Sequence, residues 1–149
     1  MSSRRRARGF ALQVLCAADV RDHDVGTTLE DLKADLQDAE EPTEDDRPTE
    51  EEAAFARRLV EGVHQERERI DACVEKCATN WRVARMPLVD RNILRLATFE
   101  LMCCEDIPGA VSINEAVELA KRFGGTESRA FVNGTVDRVA RTLGRVRKR

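Results

Sequence analysis

The chain has 149 residues, of which 42% are apolar and 36% charged, and its formal net charge is −3. That length suits a single domain with a substantial core, and no apolar run is long enough to cross a membrane as a helix. The absence of tyrosine, the single tryptophan and the scarcity of proline and glycine disfavour a strand-rich fold. Together with the succession of helical patterns along the chain, this predicts an all-α protein.

The first twenty residues combine a basic beginning with an apolar middle. Apolar residues recur there at helical spacing, namely Ala7, Phe10, Ala11, Val14, Leu15 and Ala18. This pattern predicts an amphipathic helix that belongs to the fold. A targeting presequence has a similar composition, but Gln13 interrupts the apolar run and no clear small-x-small cleavage site follows it.

Four arginines, Arg4, Arg5, Arg6 and Arg8, lie at and just before the predicted start of this helix. One interpretation is a solvated, frayed terminus. The other is a phosphate-binding arm, because clustered guanidiniums neutralise a nucleic-acid backbone and release its counterions. The arginines alone do not distinguish RNA from DNA.

An acidic connector is predicted at about 38–52, after a short helix marked by Leu29, Leu32 and Leu36. It contains nine carboxylates and one arginine, so its net charge is −8 and the rest of the chain carries +5. The overall acidity is therefore a poor guide to partners. We interpret the connector as a solvated link, with shielding of a basic surface as the alternative.

The next helical pattern begins at Thr49 and Glu52, which have the spacing of a capping box. Apolar residues then recur at helical spacing as far as Cys77. The span from Glu50 to about Thr79 is predicted to form one long helix or two helices in line.

Three further helical patterns follow between Asn80 and Ala140, joined by short links. The first begins at Pro87 and Leu88, where the missing N–H of proline needs no helical partner. It is so rich in apolar residues up to Leu101 that we expect a central helix with neighbours on more than one side.

The two remaining helices have predicted ends. Ser112 and Glu115 predict a capping box at the start of the second helix, and the Gly-Gly pair at 124–125 predicts its end. Thr126 is the predicted cap of the third helix, and Gly134 is interpreted as a helical glycine that allows close approach of another backbone. The spacing predicts these inward-facing residues: Ile113, Ala116, Val117, Ala120, Phe123, Phe131, Val132, Val136, Val139, Ala140 and Leu143.

The cysteines do not have the spacing of a metal site. Cys73 and Cys77 are one helical turn apart and Cys103 and Cys104 are adjacent, whereas zinc sites favour C-x-x-C pairs. Together with Cys16, they are interpreted as small buried hydrophobes in a reducing cytosol, which predicts a cytoplasmic protein.

No catalytic motif is found either. His23 and His64 are isolated in sequence. Glu100 and Glu118 lie among apolar residues, and we interpret them as buried carboxylates that pair helices rather than as acid–base catalysts. We therefore predict a protein that is not an enzyme and needs no metal or cofactor.

Three segments together resemble one known family. The segment INEAVELAKRFGGTESRAFVNGTVDRVA, residues 113–140, closely resembles the signature of the NusB family of bacterial transcription antitermination factors. The segment VDRNILRLATFEL, residues 89–101, is similar to the central helix of that family, and RRRARGFALQVL, residues 4–15, is similar to its arginine-rich opening. The resemblance covers the first helix and residues from about 55 to 143.

The resemblance implies a compact all-α domain, residues 1–149, built of two three-helix subdomains. It also implies binding of boxA-type single-stranded RNA in nascent ribosomal RNA transcripts, together with the ribosomal protein NusE. The implied complex further contains NusA, NusG and RNA polymerase and resists premature termination. Some members of the family also form homodimers that can mask the RNA surface.

The resemblance assigns RNA binding to two groups of residues, which the role requires on one face of the protein. The first group is Arg4, Arg5, Arg6 and Arg8. The second is Phe123, Gly124, Glu127, Ser128, Arg129 and Phe131. Asp90 and Arg91 match the region that faces the ribosomal protein. Phe123 and Phe131 also lie at core spacing, so packing is an equal alternative for both.

Two departures from the family pattern affect these expectations. Cys16 stands where many relatives have an aromatic residue, which removes a possible stacking contribution. The acidic connector is also more charged than usual. The alternative functions are an RNA-recruiting domain of a ribosomal RNA cytosine methyltransferase, for which the sequence contains no cofactor-binding domain, and a helical adaptor that does not bind RNA.

Overall fold

The computed structural model describes residues 3–21 and 47–146, which form α-helices and one 3₁₀ turn, Val83–Arg85. The helices are α1 (Ser3–Arg21), α2 (Glu50–Gln65), α3 (Arg67–Cys77), α4 (Leu88–Cys103), α5 (Gly109–Phe123) and α6 (Ser128–Thr142). No strand occurs among these residues, so the predicted all-α class is confirmed. None of the helices described is both long and apolar enough to span a membrane.

The chain divides into two compact units, Met1–His64 and Gln65–Arg149. The helix predicted from Leu29, Leu32 and Leu36, and residues 38–46 of the predicted connector, lie outside the described residues. The last three residues of that connector, 50–52, belong instead to the first turn of α2. Carboxylates suit this position because the amino end of a helix carries a partial positive charge.

In the first unit, the predicted amphipathic face of α1 is buried except at Phe10, which is half-buried. The capping box predicted for α2 is formed. The N–H of Thr49 donates to Oε1 of Glu52 at 2.9 Å, and the N–H of Glu52 donates to Oγ1 of Thr49 at 3.1 Å. Two backbone donors that lack helical partners are thereby satisfied. The long helical pattern is two helices, because α2 ends at Gln65 and α3 begins at Arg67.

The second unit is organised around α4, as predicted. This helix begins directly after Pro87, and every residue from 92 to 101 is buried. It packs against α3, α5 and α6. A helix that is packed on several sides has no broad polar face towards solvent, which explains why its apolar residues extend beyond one stripe.

A polar link joins α4 to each of its three neighbours. Arg95, which is buried, makes a two-point ion pair with Asp71 on α3, at 2.9 Å from Nε to Oδ1 and 3.1 Å from Nη2 to Oδ2. Ser112 on α5 donates to Oε1 of Glu100 at 3.0 Å, so the pairing role predicted for Glu100 is confirmed. Ser128 on α6 donates to Asp90. Because buried polar atoms must find partners, these links select one register for each helix pair.

Two predictions for α5 are wrong. Ser112 does not cap the helix, because α5 begins three residues earlier at Gly109, after Pro108, and the side chain of Ser112 is buried against Glu100. Glu118 is not a buried carboxylate. Its side chain is 44% exposed and pairs with Lys121 on the same helix, at 3.3 Å.

The predicted end of α5 at Phe123 is confirmed, whereas three details of α6 are wrong. Thr126 is not the cap, since α6 begins at Ser128 and the structure assigns no side-chain cap to it. Leu143 is 37% exposed rather than buried. Gly134 is helical, but no atom of the residues that the structure describes, apart from the backbone of its own helix, would lie within 4 Å of a methyl group at its Cα. No described backbone therefore approaches it closely.

Candidate nucleic-acid interface

The amino-terminal arginines lie within α1, which is helical from Ser3, rather than partly before it. Arg4 and Arg5 are exposed and Arg6 is half-buried, but Arg8 is only 2% exposed. Their charges add to the partial positive charge at the amino end of the helix, whose own first turn contains no acidic residue. This end of α1 is therefore suited to an anionic ligand.

Three of these arginines contact side chains in the first two turns of α2. The guanidiniums of Arg4 and Arg8 lie over the ring of Phe55, at 4.6 Å and 5.4 Å from its centroid. Nε of Arg6 forms an ion pair with Oε2 of the buried Glu52 at 3.5 Å. The arginines are thus ordered, which disagrees with a frayed terminus. Arg8 would have to leave Phe55 to reach a ligand, so in this structure it positions the cluster.

The second predicted RNA-binding group surrounds a pocket of about 820 Å³ in the second unit. Its lining includes all members of that group except Arg129, which is exposed on the first turn of α6. The lining residues are Trp81, Pro87, Leu88, Val89, Asp90, Phe123, Gly124, Gly125, Thr126, Glu127, Ser128, Ala130 and Phe131. The amino ends of α4 and α6 and the loop before α6 therefore form this pocket.

Ser128 fixes the shape of the loop that closes the pocket. Its Oγ accepts a hydrogen bond from the N–H of Gly125 at 2.9 Å and donates one to Oδ1 of Asp90 at 2.6 Å. Gly124 is required by close packing rather than by an unusual φ, because an added Cβ would lie 2.5 Å from Cβ of Ser128. The first glycine of the pair that predicted the end of α5 thus also lets the loop pack onto α6.

Asp90 and Arg91, the residues predicted to face the ribosomal protein, differ in their surroundings. Asp90 is buried in the first turn of α4 and lines the pocket. Arg91 is half-buried, and its Nη1 lies 3.5 Å from the carbonyl oxygen of Ala84. Asp90 therefore connects the predicted partner region with the predicted RNA-binding segment through Ser128.

Trp81 is a lining residue that the sequence reasoning missed. It is 49% exposed, and its ring lies 6.0 Å from that of Phe131, at an interplanar angle of 56°. The available signal was that Trp81 does not fit the spacing of apolar residues in the helical pattern before it or in the one after it. A large apolar side chain that no helix buries is a candidate for binding.

The surroundings of the two phenylalanines agree in part with core packing and in part with ligand binding. Phe123 and Phe131 are both half-buried and both line the pocket. Arg122 lies over the ring of Phe123, at 5.1 Å from the centroid. Each ring therefore has one part that packs and another that a ligand can reach.

The cysteines form no disulfide. Cys77 and Cys104 are buried as predicted, Cys16 and Cys73 are half-buried, and Cys103 is exposed, contrary to the prediction. Within residues 3–21 and 47–146, no three His, Cys, Asp or Glu side chains are grouped as metal ligands would be.

The described residues form an all-α fold with an aromatic-lined pocket at the amino ends of two helices. A relative from Myxococcus xanthus, the transcription antitermination protein NusB, is 48% identical over 143 residues, which cover 96% of this chain and 98% of the relative. The NusB family model matches residues 5–141, and the chain belongs to the NusB family.

Solved structures of relatives have the same fold. NusB from T. maritima is 35% identical and superposes with a TM-score of 0.78, covering 93% of this chain and 90% of that one. A chain from a structure of the antitermination factors NusB and NusE with double-stranded RNA is 24% identical, with a TM-score of 0.81 and coverage of 95% and 98%. At 24% identity, the similarity to this second structure shows the fold alone.

Proposed function

We propose that this protein is a transcription antitermination factor that binds boxA-type single-stranded RNA of nascent ribosomal RNA transcripts together with the ribosomal protein NusE. It acts within a complex that also contains NusA, NusG and RNA polymerase. The observation that carries the proposal is the convergence of five predicted RNA-binding residues on one pocket: Phe123, Gly124, Glu127, Ser128 and Phe131. Membership of the NusB family supports the same role.

The amino end of α1 supplies the electrostatic part of binding. Arg4 and Arg5 present guanidiniums at the surface, and Arg6 is partly accessible beside Glu52. Guanidiniums make charge-assisted hydrogen bonds to phosphate, and they release counterions when they do so. These contacts favour any nucleic acid, so they contribute affinity rather than sequence preference.

The pocket in the second unit supplies the contacts that distinguish single-stranded from double-stranded RNA. Unpaired bases bind by stacking on aromatic rings and by hydrogen bonds from their exposed edges. Phe123 and Phe131 provide rings, and Glu127 provides a hydrogen-bond acceptor in the lining. A base in a duplex is stacked between neighbours and does not reach such a pocket.

Mobility-shift titrations with boxA-like and scrambled RNA, each with and without NusE, test the proposal. We expect boxA binding that strengthens with NusE and weakens with salt by roughly 0.7 log units per log unit of salt for each phosphate contacted. Equal binding of both RNAs would refute the boxA preference, and no binding of either RNA would refute the proposal and favour a helical adaptor. Sedimentation of the protein alone measures the homodimer that the family resemblance implies.

The arginine surface is tested with Arg5→Ala and a control of equal charge change. Arg5→Ala should reduce RNA affinity and the salt slope without lowering the melting temperature. Arg69→Ala is the control, because Arg69 is 68% exposed on α3 and pairs with Glu66 rather than with a predicted RNA contact. If both variants bind alike, the assigned arginine surface is wrong.

A further inference from the structure

Trp81 is the single tryptophan of the chain, and its side chain is half-exposed at the pocket. A large apolar ring that stays exposed contributes little to the stability of the fold. Burial of an aromatic side chain would contribute as much hydrophobic stabilisation as burial of almost any other residue. The buried side chains nearby in sequence, Ala78, Val83 and Met86, show that the core was within reach. The exposed indole of Trp81 is therefore available to bind a ligand.

The backbone on both sides of Trp81 is anchored. Asn80 has a φ of 67°, a left-handed conformation that turns the chain sharply after α3. The N–H of Trp81 donates to the carbonyl of Ala78 at 3.1 Å, and the N–H of Val83 donates to Oε1 of Glu75 at 3.0 Å. A ring on an anchored turn loses little conformational freedom when it binds a ligand.

The charges around the pocket select the part of an RNA strand that enters it. Asp90 and Glu127 are carboxylates in the lining, so a phosphate would be repelled. Glu127 is exposed, and a base can donate its amino or imino hydrogens to it. Arg82 and Arg129 are exposed and adjacent in sequence to the lining residues Trp81 and Ser128. Their guanidiniums suit the phosphates on either side of an inserted base.

The ring geometry limits how a base can stack. The centroids of Trp81 and Phe131 are 6.0 Å apart and the rings are tilted by 56°. A base sandwiched between parallel rings would need about 7 Å, twice the contact distance between carbon atoms. A base would therefore stack on one of these rings rather than between the two, and Trp81 has the more exposed ring.

We propose that one splayed nucleobase of the bound RNA stacks on Trp81, which makes Trp81 a binding residue in addition to the two groups already described. The proposal rests on the RNA-binding function proposed above. Stacking on an aromatic ring tolerates any base, so Trp81 adds affinity for unpaired RNA more than base identity.

Intrinsic fluorescence tests the proposal directly, because the chain has one tryptophan and no tyrosine and all indole emission comes from Trp81. Titration of the full chain with boxA-like RNA should change the Trp81 emission in step with the mobility shift. An equal concentration of duplex RNA should change it much less. RNA that binds in the mobility shift without any change in emission would overturn the proposal.

Substitution of Trp81 gives a second measurement. Trp81→Leu should weaken RNA binding roughly 5- to 150-fold, the effect of losing one stacked base, and Trp81→Phe should recover part of the loss. Leu143→Ala is the matched control, because Leu143 is another exposed large apolar residue but does not line the pocket. Thermal melting of each variant excludes a loss of fold as the cause.

A series of RNAs with a single abasic position locates the stacked base. One abasic position should weaken binding to the natural protein but not weaken Trp81→Leu further, because both changes remove the same contact. If every position affects the two proteins equally, no base stacks on Trp81 and the proposal is wrong.

The failure of this proposal differs from the failure of the proposed function. If Arg5→Ala weakens boxA binding while Trp81→Leu does not, RNA binding stands and the stacking proposal falls. If no boxA binding occurs in any assay, both fall. If NusE alone changes the Trp81 emission and RNA adds nothing, the pocket is a protein contact and the stacking proposal is overturned.

Discussion

Ser128 donates a hydrogen bond to Oδ1 of Asp90 at 2.6 Å, although the two residues are 38 positions apart. This bond joins the first turn of α6 to the first turn of α4, and both residues line the pocket. The same hydroxyl accepts the N–H of Gly125 and so holds the loop before α6. One side chain therefore connects the segment proposed to bind RNA with the residue predicted to face the protein partner.

Replacing this hydroxyl should destabilise the protein. Ser128→Ala leaves the buried carboxylate of Asp90 and the N–H of Gly125 without their partner, so we expect a loss of about 1–3 kcal/mol in the free energy of unfolding. Urea titration followed by circular dichroism measures it. Thr126→Ala is the control, because Thr126 lies in the same loop and no hydrogen bond is assigned to its side chain. Equal stability of both variants would contradict the role given to Ser128.

Two glycines of the second unit should respond in opposite directions to alanine. At Gly124 the new methyl group would lie 2.5 Å from Cβ of Ser128 and 2.8 Å from the carbonyl oxygen of Ala120, so Gly124→Ala should cost about 1–3 kcal/mol. At Gly134 the methyl group meets nothing within 4 Å on a helix, so Gly134→Ala should stabilise by about 0.5–1 kcal/mol. Thermal and urea unfolding of the pair give both signs. A stabilising Gly124→Ala would contradict the close packing of the loop.

Features that depend on local chemistry could be predicted from the sequence. The start of α4 after Pro87 and the capping box of Thr49 and Glu52 involve residues within four positions of one another. Both features are completed by neighbouring residues of the same helix and need no partner distant in sequence. The all-α class and the end of α5 were predictable for the same reason.

Features that depend on partners distant in sequence could not be predicted in this way. Ser112 has the spacing of a cap, but its hydroxyl finds Glu100 across the helix interface and the helix begins earlier. Ser128, rather than Thr126, organises the start of α6 because its hydroxyl reaches Asp90. The pocket residue Trp81 was missed because its exposure follows from tertiary packing, and no short motif marks it.

The buried ion pair between α3 and α4 should be a large contributor to stability. Arg95→Ala removes the two-point partner of Asp71, and we expect a loss of about 3 kcal/mol, at the lower end for a broken buried pair because Asp71 keeps some exposure to solvent. Chemical unfolding measures the loss. Arg141→Ala is the control, since Arg141 makes an equivalent two-point pair with Asp137 within one helix at the surface. That variant should lose much less, and an equal loss would show that burial does not decide the effect.

Neighbouring arginines of α1 should separate folding from binding. Arg8→Ala removes a buried guanidinium from the ring of Phe55 and should lower stability by about 1–2 kcal/mol. Arg5→Ala changes an exposed side chain and should stay within about 0.5 kcal/mol of the natural protein. Thermal melting of both variants checks these changes in stability, and RNA titration of the same samples should show weaker binding by Arg5→Ala. If Arg8→Ala melts normally yet loses RNA binding, the positioning role given to Arg8 is wrong.

The thiol of Cys103 should react more slowly with alkylating reagents than an ordinary cysteine. Partial desolvation of the exposed Cys103 thiol, with a smaller contribution from the Glu66 carboxylate, raises its pKa, and Arg69 partly opposes this. A raised pKa lowers the thiolate fraction at a given pH, so the rise in alkylation rate should shift to higher pH. Glu66→Gln removes a negative charge and leaves that of Arg69 unopposed, and both changes should lower the pKa and speed alkylation at pH 8. Peptide mass spectrometry over a pH series measures the rates, with unfolded protein as the reference. A Cys103 rate profile at or below the pH of that reference would contradict the assigned surroundings.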